Sequence, residues 1–194
     1  MKLTITHQEK YSRGQLILRT LFGWLYIAIP HLFLMAFVGI WSAILAFATF
    51  WVVLFTQKFP KGIFDWQIKF MNWGARVNAV LSNLVDGYPA FFPKGESDTV
   101  KLSEDYPEKV RWWLVLLRVL FGFIYVGIPH VICLFVRLIA TEVLMFIAWW
   151  AVLFTGKYPA KMHGFNVGTY RWIYRISMYL GYFTDKYPPF SGKE

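Results

Sequence analysis

The sequence predicts an all-α integral membrane protein with two parallel copies of a transmembrane helical hairpin, each followed by an amphipathic interfacial helix. Residues 16–55 form a forty-residue apolar stretch in which Arg19 is the only charge. A second such stretch begins at Val115 and ends at Phe154. Each is too long for one membrane crossing of about 20 residues and about right for two. An amphipathic pattern follows each stretch, which completes the predicted unit.

The two stretches belong to a longer internal repeat. Shifting the chain by 99 residues aligns residues 18–91 with residues 117–190 without a gap, and 26 of the 74 pairs are identical. A period this long does not fit a solenoid repeat and indicates a duplicated unit the size of a small domain.

Composition and charge agree with a membrane protein. Hydrophobic residues make up 57% of the chain and charged residues only 16%, which is outside the usual balance of a soluble domain. The net charge of +9 comes from basic residues that flank the apolar stretches, a pattern typical of membrane orientation and anionic headgroups. No nucleic-acid-binding signature accompanies the charge. Cys133 is the only cysteine, so an intrachain disulfide is excluded.

The chain divides into four segments. Residues 1–15 are a polar cytoplasmic arm without the short apolar core of a cleavable signal peptide. The first copy covers residues 16–92, with spans at about 16–35 and 39–56 and an amphipathic helix at about 62–84. Residues 93–111 are a charged, solvated linker. The second copy covers residues 112–191, with spans at about 115–134 and 138–155 and an amphipathic helix at about 161–183.

Two prolines leave a second division of the apolar stretches open. In the hairpin, Pro30 and Pro129 lie inside the first span and bend it, because proline removes a backbone donor. In the alternative, each proline occupies the first turn of a helix. A short helix then ends near Ile29, and a helix of about 27 residues continues to Thr56. The hairpin is the favoured division, and Arg137 near the predicted bend supports it.

The distribution of Lys and Arg predicts the orientation. Apart from Arg137, these residues lie in the amino-terminal arm, at the start of a span, in the linker, or after the second span of a copy. The positive-inside rule places those segments in the cytoplasm. We therefore expect a multi-pass protein with both termini cytoplasmic and the two copies parallel.

The segments after the spans show one apolar and one polar face. In the first copy, Trp66, Phe70 and Trp73 recur at helical spacing, while Lys69 and Arg76 face elsewhere. Such a helix suits the headgroup layer of a membrane. Docking onto a partner protein or beneath its own hairpin would produce the same pattern. Both copies then end in Asp-x-Tyr-Pro-x-Phe, which we interpret as an interfacial anchor or a cover over the end of the hairpin.

The motifs resemble those of a bacterial membrane-protein family known only as a domain of unknown function. They are Arg-x-x-Phe-Gly-x-x-Tyr-x-x-Ile-Pro-His, then Trp-x-Val-Leu-Phe-Thr-x-Lys-aromatic-Pro, and a closing Thr-Asp-Lys-Tyr-Pro-Pro-Phe. The second copy's ending, at residues 184–190, is the closest match, whereas the first copy has Val-Asp-Gly-Tyr-Pro-Ala-Phe at residues 85–91. The resemblance implies the bacterial inner membrane and supplies no activity.

Two polar pairs inside the apolar stretches are candidates for a site. The repeat places His31 and His130 at similar depths, where ionisable groups are costly and suggest function. Two facing imidazoles could bind a haem or a metal. The simpler interpretation is that each histidine caps carbonyls freed by the neighbouring proline, so we expect no cofactor and no metal. Arg137 and Glu142 are best interpreted as a local ion pair or turn anchor.

A further set of basic and aromatic residues suits lipid headgroups at the cytoplasmic boundary. The candidates are Arg19, Arg118, Lys58, Lys157, Arg76, Arg175, Trp73 and Trp172.

These features favour a non-catalytic membrane scaffold or accessory subunit. The chain has no nucleophile and base pair, no phosphate loop and no metal-spaced acidic cluster, so an enzyme is not expected. The expected partners are membrane lipid and other membrane subunits or further copies of the chain, and not nucleic acid. The alternative is a small transporter or channel with a site between the copies around His31 and His130.

Overall fold

The computed structural model describes residues 1–92 and 95–193, so residues 93 and 94 of the predicted linker lie outside the described part. In chain order the elements are β1 (Lys2–Ile5), α1 (Arg13–Gly23), a π-helical turn (Trp24–Ala28), α2 (Ile29–Thr56), α3 (Lys61–Leu81), β2 (Val100–Ser103), α4 (Trp112–Gly122), a second π-helical turn (Phe123–Gly127), α5 (Ile128–Thr155) and α6 (Ala160–Leu180). The chain is therefore mostly helical.

Two helical segments are long and apolar enough to span a membrane. The first long helix joins α1, its π-helical turn and α2 into 44 residues, Arg13–Thr56. The second long helix, Trp112–Thr155, joins α4, its π-helical turn and α5 in the same way. Element lengths of 11, 5, 28 and 21 residues occur in the same order in both halves of the chain.

The predicted hairpins are wrong, because α2 and α5 run without a break through the positions of the expected turns. Helix α2 is continuous from Ile29 to Thr56, with Pro30 in its first turn. The chain at residues 36–38 is Ala-Phe-Val, which contains none of the turn-forming residue types. The alternative division is the one observed, with the difference that the short helix before the proline joins the long one through the π-helical turn. Such turns and prolines are common sites of helix bending.

Helices α3 and α6 lie where amphipathic helices were predicted, but their apolar faces pack inside the protein. Helix α3 runs antiparallel along the first long helix, with Gln67 bonded to Ser42 and Trp73 bonded to His31. Its buried residues are Phe64, Gln67, Trp73, Ala75, Arg76, Val77, Ala79 and Val80. Of the possibilities that the pattern left open, docking beneath the chain's own long helix is the one observed.

A two-stranded sheet covers part of α3 and was not predicted. Strand β1 comes from the amino-terminal arm and pairs antiparallel with β2 from the linker, with Leu3 opposite Leu102. The inward-facing side chains Leu3, Ile5, Val100 and Leu102 are buried in the core. The linker is therefore not wholly solvated, because alternate residues of β2 face the core.

The two long helices run antiparallel and meet near both of their ends. Arg13 at the start of the first donates to the carbonyl of Phe154 at the end of the second, at 2.8 Å. At the other end, the backbone N–H of Val110 donates to the carbonyl of Gln57, at 2.9 Å. Helices α3 and α6 are linked by hydrogen bonds from Ser82 to Tyr170 and from Asn78 to Tyr174.

Candidate functional site

The Asp-x-Tyr-Pro-x-Phe motifs form a clasp on each long helix. We define the first clasp as residues 86–91 and the second as residues 185–190. The first clasp turns at its second residue, Gly87, whose φ of +103° lies in the region that favours glycine. Each clasp runs back along the long helix of its own copy and contacts that helix through an acid, a tyrosine and a phenylalanine.

The acid of each clasp forms an ion pair with an arginine of the long helix. Arg19 donates to Asp86 at 2.7 Å and to the carbonyl of Val85 at 2.8 Å. Arg118 donates to Asp185 at 2.8 Å. Only 2% of the Arg19 side chain and 1% of the Arg118 side chain are exposed. Both guanidinium groups therefore point into the protein, away from the surface at which contact with lipid headgroups was predicted.

The tyrosine of each clasp donates to a backbone carbonyl in the π-helical turn just before the proline. In an α-helix, the N–H of residue 30 would bond the carbonyl of residue 26, but Pro30 has no N–H. The hydroxyl of Tyr88 donates to that carbonyl of Tyr26, at 3.2 Å. In the second copy, Tyr187 donates to the carbonyl of Tyr125, four residues before Pro129, at 2.9 Å. The prediction that histidines cap these carbonyls is therefore wrong.

Each histidine lies between a tryptophan and the phenylalanine of the clasp. The indole N–H of Trp73 donates to Nδ1 of His31 at 2.8 Å, and the ring of Phe91 stacks on the imidazole at 4.1 Å. Because Nδ1 accepts this bond, the proton of the neutral ring lies on Nε2. That atom is buried and has no partner among the described residues.

The second copy repeats this arrangement. Trp172 donates to Nδ1 of His130 at 2.9 Å, and Phe190 stacks on that imidazole at 4.1 Å. The described contacts of the two histidines thus lie within their own copies rather than between them. Within residues 1–92 and 95–193, no group of three His, Cys, Asp or Glu side chains could hold a metal ion.

Arg137 joins α5 to α6 and is not an anchor of a turn. Its guanidinium donates to Oγ1 of Thr169 at 2.9 Å and to the carbonyl of Phe165 at 3.1 Å. It also lies over the Phe165 ring, 4.2 Å from the centroid. The first copy has Val38 at the matching position and joins its helices through Ser42 and Gln67 instead.

Glu142 is exposed and lies in a groove between the two copies. No ion pair joins it to Arg137, so the predicted pair is not formed. The groove has a volume of about 560 Å³. It is lined by Thr20, Leu81, Ser82, Asn83, Glu142, Met145, Phe146, Trp149 and Trp150. Trp149 closes one side of this interface by donating to Thr20 of the other copy, at 2.8 Å.

The remaining predicted headgroup contacts separate into exposed and internal residues. Lys58 and Lys157 are exposed, each just after a long helix, where a threonine hydroxyl accepts the lysine backbone N–H. Arg76 is buried and donates to the carbonyl of Ala90, while Arg175 donates to that of Ser191. Trp73 and Trp172 are likewise buried. A headgroup contact thus remains a prediction for the two lysines and for Arg175, which is half-buried.

A buried polar cluster near the start of α6 was not predicted from the sequence. Nε2 of His163 donates to the carbonyl of Leu84 at 3.1 Å, and the ring lies edge-on to His7 and Tyr158. Burial lowers the pKa of His163 to about 4. Burial also raises the pKa of Tyr158 to about 12. The first copy has Phe64 at the position of His163, so the repeat gave no signal for this group.

Comparison with known proteins gives a match for one part of the chain. Residues 113–192, which contain α5, α6 and the second clasp, match the model of a family described as "Domain of unknown function (DUF4389)". No curated protein and no solved structure matches the chain. The second copy is thus similar to a domain of unknown function, as its resemblance to a family of that kind predicted.

Proposed function

We propose that this chain is a non-catalytic scaffold or accessory subunit of the bacterial inner membrane, with both termini on the cytoplasmic side. It binds lipid through its two long helices and associates with other membrane subunits. The internal repeat belongs to this proposal, with two copies presenting equivalent apolar faces.

The observation that supports membrane association is the position of the exposed apolar side chains. Of 43 large apolar residues that are exposed among the described residues, 18 lie on the first long helix and 19 on the second. Water does not tolerate so continuous an apolar surface, which requires lipid or another protein to cover it.

The internal contacts support a structural role over chemistry. The conspicuous polar groups of the long helices are held in place: Arg19 by Asp86, Arg118 by Asp185, and Arg137 by Thr169. His31 and His130 each pack against the tryptophan and phenylalanine of their own copy. These contacts favour a scaffold over a transport site shared by the two histidines.

The groove between the copies is our candidate for the subunit contact. It combines one exposed acid, Glu142, with the exposed rings of Phe146 and Trp150. Aromatic residues are enriched in protein interfaces, and a single charge among them contributes specificity.

Extraction from the source membrane in mild detergent, followed by native mass spectrometry, tests the proposal. We expect foreign subunits at fixed stoichiometry, and we expect Phe146→Ala to release them. Phe47→Ala is the matched control, because Phe47 is exposed at the corresponding position of the first copy, outside the groove. A chain that is free of foreign subunits in every extract would contradict the accessory role.

A further inference from the structure

We infer that the two long helices lie along the membrane within a single leaflet, with their outer faces among the acyl chains and neither helix crossing the bilayer. This inference rests on the proposed membrane association and specifies its geometry. It replaces the multi-pass topology that the hairpin division predicted.

The length of the apolar face is the first argument. Exposed apolar side chains recur at steps of three or four along the first long helix, from Ile17 to Phe55. These 39 residues correspond to about 57 Å of helix. The hydrocarbon core is about 30 Å thick, so a straight crossing would need a tilt of about 60°, beyond the usual 0–40°. The second long helix shows the same pattern from Val119 to Phe154.

The middle of each helix has an apolar outer face. The exposed side chains there are Leu32, Phe33, Leu34, Phe37, Ile40 in the first helix and Val131, Ile132, Phe135, Val136, Ile139 in the second. A bent helix that reached the far side of the bilayer would expose this region to headgroups and water. The apolar character of these side chains instead suits the hydrocarbon region.

The charges at the helix ends are the second argument. Exposed basic residues flank both ends of the first long helix, at Arg13 and Lys58, and both ends of the second, at Arg111 and Lys157. Because the helices are antiparallel, each end of the pair carries basic residues from both copies. A crossing pair would place half of these charges on the far side. A pair in the membrane plane places all four beside the anionic headgroups of one leaflet.

The inner faces supply the third argument. Buried residues recur along one side of the first long helix, at Leu16, Arg19, Ile27, His31 and Val53. That side is covered by α3, the first clasp and the start of α4. The covering elements carry the exposed charges, including Lys61, Asp65 and Lys69 on α3. The molecule therefore has one apolar side for lipid and one polar side for water, as in proteins that bind a single leaflet.

Spin labels along the apolar face test this geometry in vesicles of phosphatidylethanolamine and phosphatidylglycerol. Cys133 is the native cysteine, is exposed, and lies at the middle of the second long helix. In a Cys133→Ser background, Ile17→Cys and Phe55→Cys place labels near the two ends of the first helix. Glu9→Cys, which is exposed in the polar amino-terminal arm, is the control.

The proposal predicts the same depth for three labels on the apolar face. One is on Cys133 of the natural chain, and the other two are on Ile17→Cys and Phe55→Cys. Oxygen should reach all three readily, a water-soluble nickel complex should not, and the Glu9→Cys label should show the reverse. A membrane-impermeant maleimide added to either side should leave Cys133 unmodified. A label on Cys133 that lies much deeper than the labels at Ile17→Cys and Phe55→Cys would overturn the single-leaflet geometry, because a crossing puts both helix ends near a surface and the helix middle at the bilayer centre. Modification of Cys133 from the side opposite Glu9→Cys would overturn it as well. Both results would leave membrane association intact. Modification of Cys133 from the Glu9 side would instead overturn the membrane association itself.

Discussion

The hydroxyl of Tyr88 donates to the carbonyl of Tyr26, which lies in the π-helical turn just before Pro30. This bond explains why a proline and a distant Tyr-Pro motif occur together in both copies. The proline and the π-helical turn interrupt the regular bonding of the helix, and the clasp restores one bond from outside.

Tyr88→Phe tests this relationship. We expect it to lower the free energy of unfolding by about 1 kcal/mol, because one hydrogen bond to a carbonyl is lost. In a Pro30→Ala background the helix supplies its own N–H, so the same substitution should cost much less. Denaturant unfolding in detergent, followed by tryptophan fluorescence, measures both values.

Tyr106→Phe is the control for that cycle. Its hydroxyl also donates to a backbone carbonyl, that of Phe59, which lies outside the long helices and away from Pro30. Tyr106→Phe should therefore lower the free energy of unfolding by the same amount with and without Pro30→Ala. Equal costs of Tyr88→Phe in the two backgrounds would show that Tyr88 does not substitute for the missing helical donor.

The ion pair between Arg19 and Asp86 should contribute strongly to stability. Asp86→Ala leaves the Arg19 charge buried without its partner, which typically costs about 3–5 kcal/mol. The double variant Arg19→Met with Asp86→Ala should cost less than the sum of the single changes, because no unpaired charge remains. Thermal unfolding of the four proteins gives the comparison.

The exposed pair Lys61 and Asp65 is the matched control, at 2.7 Å and with 63% and 48% of the side chains exposed. Its removal should cost less than about 1 kcal/mol. A similar small cost for Asp86→Ala would mean that the buried pair contributes no more than a surface pair.

Trp73→Phe should lower the free energy of unfolding by about 1–3 kcal/mol more than the smaller buried ring of phenylalanine would by itself. The change removes the only described donor to Nδ1 of His31 and leaves a buried imidazole without partners. Trp41→Phe is the control, since Trp41 is 52% exposed on the outer face of α2, the helix that carries His31. Chemical denaturation of the two variants decides the point, and equal midpoints would rule out a structural role for the indole N–H.

Stability should fall between about pH 6.5 and about pH 4 because of His163. The unfolded chain binds a proton at the ordinary histidine pKa of about 6.5, whereas burial lowers the pKa of His163 in the folded state to about 4. Protonation therefore favours the unfolded state as the pH falls through this window, by up to about 3 kcal/mol. Above about pH 6.5 the imidazole of His163 is neutral in both the folded and the unfolded state, so it no longer makes stability depend on pH.

His163→Phe, which introduces the residue that the first copy has at this position, should flatten that part of the pH profile. The readout is the unfolding midpoint at a series of pH values. A variant whose midpoint still falls as steeply as that of the natural chain would assign the pH dependence to other groups.

The sequence predicted the elements better than their connections. The uncharged apolar runs located the two stretches that form the long helices, and the steps of three and four located α3 and α6 to within a few residues. The continuous passage through residues 36–38 was missed, because length alone suggested two crossings and nothing in an apolar run distinguishes a helix from a buried turn.

The candidate site could be predicted only in its parts. The shared Arg19, His31, Trp73, Asp86 and Tyr88 positions were visible in the repeat, but their pairing was not. Arg19 and Asp86 are 67 residues apart, and His31 and Trp73 are 42 apart, so only the folded chain brings them together. For the same reason, Arg19 and Arg118, which looked suited to headgroups, proved to be paired with carboxylates within the chain.

The most direct test of the central claim is the behaviour of the full chain in alkaline carbonate. The account predicts that the protein stays with the membrane pellet after carbonate and high-salt washes, because the apolar faces of both long helices are held by acyl chains rather than by charge. Release of the folded chain into the supernatant would contradict the account, since the 37 exposed apolar side chains of the long helices would then need another cover.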